Sequence, residues 1–169
     1  MNIQELCQLY AHLPQVAALA KVMGDAKSGN IFLDGLLASS PSLLFSALAT
    51  KCRQTILFIM QDADEAGYLY HDLTQIMGDK QVLFFPSSYR RAIKYGQKDP
   101  ASEILRTETL CKMKNEELRM KNGCANRMQN GDSLFIVSYP EAVAELVVSQ
   151  KSMDSRMLMP PTTHSHCSL

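Results

Sequence analysis

Three short apolar runs constrain this chain more than anything else in it: residues 55–60 (TILFIM), 81–85 (QVLFF) and 134–138 (LFIVS). Each has strand length and almost no alternation of polar and apolar residues, which is the pattern of a strand covered on both faces. The stretches between them have helical spacing. After Asp62, the apolar residues Ala66, Leu69, Leu73, Ile76 and Met77 share one stripe that ends at Gly78. Asp62, with Glu65 three residues later, has the form of a capping box. A long helix is expected from Asp99-Pro100, carrying Ile104, Leu105, Leu110 and Met113. Another opens at Pro140, with Val143, Leu146 and Val147 on one side. Short strands alternating with helices imply right-handed crossovers, and so an α/β fold with a parallel sheet and helices on both faces.

Upstream, residues 31–37 (IFLDGLL) are expected to form a further strand, followed by a turn of small residues and a helix over 41–52 with Ser40 as its N-cap. A strand, turn and helix in this order is the setting of a phosphate-binding loop, G-x-x-x-x-G-K-[ST]. Gly35 is followed by four residues and then Ser40, Pro41 and Ser42, so the register fits but the second glycine is serine and the lysine is proline. Pro41 offers neither an ammonium group nor an N–H. Ser40 adds a Cβ where backbone must approach a phosphate closely, and only Ser42 keeps a hydroxyl suited to a metal. The residues read as the shell of a nucleotide site without its chemistry, and no cofactor is expected. Residues 2–23 show helical spacing in two pieces, broken at Pro14 and closed by Gly24.

Charge gives no global pull towards nucleic acid or membrane, because seventeen Lys and Arg balance seventeen Asp and Glu. Any DNA contact must be local. The candidate is the polar, basic stretch 87–98 (SSYRRAIKYGQK) at the carboxyl end of a strand, where open α/β sheets place their ligands. There Arg90, Arg91 and Lys94 alternate with Tyr89 and Tyr95, cations and aromatics that suit a phosphate backbone and a base; a solvated basic loop has the same composition. His164, His166 and Cys167 have metal-ligand spacing but sit on a tail without periodicity, and no metal is expected. His71 reads as a surface residue, and Asp62, Asp64 and Glu65 as an acidic first helical turn. No nucleophile, base and orienting group stand together, so no catalytic residue is assigned.

The five cysteines are scattered without a C-x-x-C pair, and the N-terminus MNIQELCQLY lacks the basic and apolar regions of a secretory signal. A reducing cytoplasm is the expected setting. Residues 112–130 are rich in Lys, Asn, Met and Arg and read as a solvated helix end and a loop. One packed domain is expected over residues 1–155, with 156–169 a disordered or non-native tail.

The runs QDADEAGYLYHDLTQIMGD, QVLFFPSSYRRAIKYGQ, EILRTETL and LFIVSYPEAVAELVV resemble the N-terminal, UvrB-like region of bacterial transcription-repair coupling factors (Mfd), over roughly residues 1–155. The resemblance implies a RecA-like domain of the P-loop NTPase type with a degenerate nucleotide site, in agreement with Ser40 and Pro41. It implies a part in nucleotide excision repair through a large ATP-driven DNA translocase whose partners are UvrA and RNA polymerase. The domains that bind those partners, and the motor domains, have no counterpart here, and residues 114–129 look like an insertion. The chain therefore reads as an incomplete fragment with no enzyme activity of its own, contacting the other domains of the full-length protein. A sheet lacking its later strands would expose an edge, so self-association is expected. Two alternatives stand beside this reading: a DNA-binding module using residues 89–98, and a P-loop NTPase with an altered loop.

Overall fold

A computed structural model describes residues 2–24, 29–52, 54–89, 99–121 and 133–147, with the side chains of 117–121 left out. The chain order is α1 (Ile3–Ala11), α2 (Pro14–Gly24), α3 (Ser40–Ala49), β1 (Ile56–Ile59), α4 (Ala63–Met77), β2 (Val82–Phe84), α5 (Pro100–Lys121), β3 (Phe135–Ser138) and α6 (Pro140–Ala144). The three strands form one parallel sheet in the order β1-β3-β2. Ile56 and Val82 both stand opposite Phe135, so the strands are in step. The architecture is α/β, a small parallel sheet flanked by helices.

The central strand β3 has no exposed residue, as its apolar run requires. Val82, Phe135 and Val137 pack under Ala66, Leu69 and Leu73 of α4. Phe58 of β1 meets Phe135 edge-on at 5.4 Å and Phe45 of α3 at 4.9 Å. Such aromatic pairs add about 0.5–1.5 kcal/mol each beyond the area they bury. A second cluster joins Val16 and Leu19 of α2 to Leu44, Ala47 and Leu48 of α3. α4 starts as its sequence specifies: Asp62 Oδ1 accepts from the backbone N–H of Asp64 at 3.0 Å and of Glu65 at 2.9 Å. It stops at Gly78, whose φ of +89° is accessible to glycine at little cost.

Three expectations need correction. Residues 31–37 form no strand: they pair with none of the described strands, and Phe32 and Leu37 are 89% and 79% exposed. A strand needs a partner for its backbone groups, and none of β1, β2 and β3 pairs with these residues. Second, β1 is not covered on both faces. Ile56 and Phe58 turn inward, while Leu57 and Ile59 are exposed. Third, α6 is only five residues long and Val143, Leu146 and Val147 are exposed rather than packed. Smaller shifts affect α3, where Ser39 is the N-cap and Pro41 the second helical residue, and α5, which runs on to Lys121.

Candidate functional site

The residues that suggested a nucleotide loop are held in an arrangement unlike a phosphate cradle. Gly35 has φ +80° and Ala38 φ +49°, so the chain turns twice through the left-handed region before α3 begins. The Gly35 N–H is taken by Asp34 Oδ1 at 2.8 Å, which puts a carboxylate where an anion would need a donor. Ser42 is 1% exposed, and its hydroxyl donates to Asp72 Oδ2 on α4 at 3.3 Å. A metal ion bound there would have to displace that contact and reach a buried oxygen. Pro41 removes one N–H from the helix start. Helix α3 is thus a packing element, fixed on one side by α2 and on the other by α4.

The organised polar cluster lies elsewhere, at the carboxyl ends of β2 and β3. Glu145, just past α6, is its centre. Its carboxylate accepts from the Ser88 N–H at 3.0 and 3.1 Å, from Ser88 Oγ at 2.7 Å, and from Ser87 Oγ. Arg106 of α5 completes the charge balance, with Nη1 at 3.3 Å from Glu145 Oε2 and side-chain exposures of 8% and 14% for the two. Nη1 also donates to the carbonyls of Pro86 at 2.7 Å and Ala142 at 2.9 Å. The guanidinium stands 4.2 Å from the centroid of the Phe85 ring, a cation–π contact. Tyr139 OH accepts from the Ser87 N–H at 2.8 Å, and Ser138 Oγ donates to Phe85 O at 2.8 Å.

This cluster ties together the end of β2, the end of β3, α5 and α6. Burial pushes the Glu145 carboxyl up, but the hydrogen bonds from Ser87 and Ser88 and the Arg106 charge outweigh it and hold the group below its ordinary value. A carboxylate so occupied is a poor base, and an arginine so neutralised is a poor anion receptor. The arrangement can hold backbone in place; it has no poised proton or nucleophile. It also fixes the base of the basic stretch, because the Asp99 N–H donates to Ser88 O at 2.7 Å.

Of the residues named from sequence for nucleic-acid contact, Tyr89 is at this base and 48% exposed. Arg90, Arg91, Lys94 and Tyr95 lie outside the described residues, as do His164, His166 and Cys167. His71 is exposed, as expected. Among the described residues no group of three His, Cys, Asp or Glu is placed to hold a metal. No helix among them is long and apolar enough to cross a membrane. Sequence reasoning missed Ser87, Ser88, Arg106, Tyr139 and Glu145 as a unit; the local signal was only a pair of serines after a strand-ending proline. No family model matches the chain, and no match was found among curated proteins or solved structures.

Proposed function

We propose that this chain is a non-catalytic interaction module, the first part of a RecA-like, UvrB-like domain of the kind found at the N-terminus of transcription-repair coupling factors. It would serve as scaffold and contact surface for the rest of such a protein in DNA repair, in the cytoplasm. The observation that carries the non-catalytic part is the state of Ser42. The hydroxyl that a working phosphate-binding loop offers to Mg²⁺ is here 1% exposed and donates to Asp72. Pro41 at the lysine position and Asp34 on the Gly35 amide point the same way. The repair context rests on the resemblance of residues 1–155 alone.

Calorimetric titration with ATP and Mg²⁺ tests the reading. The expected result is no saturable heat at nucleotide concentrations up to the order of 1 mM, a level at which binding weaker than about −4 kcal/mol escapes detection. Mg²⁺-dependent binding in the micromolar range would remove the proposal and favour an NTPase with an altered loop.

A further inference from the structure

We propose that the half-open cavity between α1, the carboxyl ends of α3 and α4, and the residues leading into β2 and β3 is a binding site for a small uncharged molecule with an apolar body and an N–H donor. This is independent of the repair reading. The cavity lies at the opposite end of the parallel sheet from the Glu145 cluster, because Gln81 and Ser133 precede their strands. Its volume is about 360 Å³, inside the range of small-molecule sites. Ile3 of α1, Ala49 of α3, and Ile76 and Met77 of α4 supply an apolar wall. Small ligands settle in concave sites of this kind, where a few polar groups converge on apolar surface.

The polar groups define what the cavity would hold. Ser46, Thr50 and Ser133 line it, and each hydroxyl already donates to a backbone carbonyl: to Ser42 O at 2.6 Å, Ala47 O at 2.7 Å and Cys52 O at 2.7 Å. A carbonyl only accepts, so these hydroxyl protons are committed and the three oxygens retain acceptor capacity alone. Among the lining side chains, the Gln4 and Gln81 amides and the Cys7 thiol are the remaining donors. α3 and α4 both end at the cavity. The last carbonyls of a helix lack partners within it and carry the negative end of its dipole. Neither helix has a basic residue in its last turn to balance that end.

The same lining disfavours an anion. It contains no Lys, Arg or His, and Lys51 and Lys80, which neighbour Thr50 and Gln81 in sequence, are exposed and outside it. At the first turn of α1, Glu5 Oε2 accepts from the Asn2 N–H at 3.1 Å, so a carboxylate already stands at that helix start. Burial pushes the Cys7 thiol up, which keeps it protonated and neutral at neutral pH. With no charge of either sign in the lining, a charged ligand would lose its hydration without a counter-ion in return. A neutral donor on an apolar body suits both halves of the site.

Indole is the probe, an N–H on an apolar bicycle; N-methylindole keeps the body without the donor, and benzoate brings a negative charge. In ¹H–¹⁵N NMR titrations of the full chain, indole should give saturable shifts at Cys7, Thr50, Met77, Gln81 and Ser133, with a Kd on the order of 1 mM. N-Methylindole should bind about fivefold more weakly, the loss of one hydrogen bond. Benzoate should not saturate up to roughly 10 mM. Indole at that concentration should slow alkylation of Cys7 by iodoacetamide at least about fivefold, while Cys111, on α5 and outside the lining, reacts unchanged. Gln4→Trp and Cys7→Phe fill the cavity and should abolish the indole shifts with the far-UV circular dichroism retained. Tyr68→Trp, at an exposed position outside the lining, should bind as the parent does. Absence of saturation with indole, equal or tighter binding of N-methylindole or benzoate, shifts centred away from the lining, or unslowed alkylation of Cys7 would each overturn the proposal. So would filled variants that bind as the parent does, or loss of binding in Tyr68→Trp.

Discussion

The two flanks of the sheet are built differently. At the β2–β3 end, four hydrogen bonds into one carboxylate, a buried arginine and a tyrosine hydroxyl tie strand ends to α5 and α6. At the β1 flank, the outer face carries Leu57 and Ile59 in solvent. Both flanks contain apolar strands of similar composition, so side-chain hydrophobicity does not separate them. What differs is the supply of partners for backbone groups. The Ser87 and Ser88 amides find Tyr139 and Glu145, whereas those of Leu57 and Ile59 find no strand among the described residues. The carboxyl end of β2 is tied by segments that arrive later in the chain, β3, α5 and α6.

The largest expected contrast comes from one truncation on each flank. Glu145→Ala leaves the Arg106 guanidinium buried without its counter-charge and should cost about 3 kcal/mol, the lower end for a broken buried pair. Leu57→Ala, at an exposed site, should stay within about 0.5 kcal/mol of the parent. Urea unfolding checks both, and equal losses would erase the distinction between flanks.

A second contrast is in pH. The folded Glu145 carboxyl titrates below its ordinary value of 4.5, so the unfolded chain binds the proton first as pH falls. The stabilisation is complete above that ordinary value and is lost as pH drops through the lowered one. Stability measured from neutral pH into this acid range should fall more steeply for the parent than for Glu145→Gln, which cannot ionise there. Parallel curves would show that Glu145 contributes nothing to the dependence. The smallest effect belongs to a purely local feature. Asp62→Ala removes two bonds to the first turn of α4 and should cost about 1 kcal/mol by thermal unfolding, whichever flank is altered with it.

The sequence was legible where structure is local. The apolar runs at 81–85 and 134–138 became β2 and β3, and Asp62 and Gly78 bound α4 at both ends. Pro14 separated α1 from α2 through its own ring. Features that depend on distant partners were misread. Residues 31–37 have strand composition, but composition cannot provide a neighbour. The run at 55–60 looked doubly covered because a buried strand and an edge strand can share the same residues. The Glu145 cluster joins positions 57 and 58 residues apart, and nothing near Ser87 or Ser88 in sequence announces Glu145. Among the candidate site residues, the missing ammonium group and N–H at Pro41 were readable directly, since they are properties of proline. The capture of Ser42 by Asp72, thirty residues away, was not.

Amide hydrogen exchange followed by NMR tests the difference between the flanks most directly. The expected result is strong protection at Ser87, Ser88, Phe85 and Phe135, whose amides donate to Tyr139, Glu145, Val137 and Gln81, with exchange at positions 57 and 59 faster by at least about tenfold. Equal protection at positions 57 and 59 would contradict an unpaired outer side of β1, and rapid exchange at Ser87 and Ser88 would contradict a tied carboxyl end of β2.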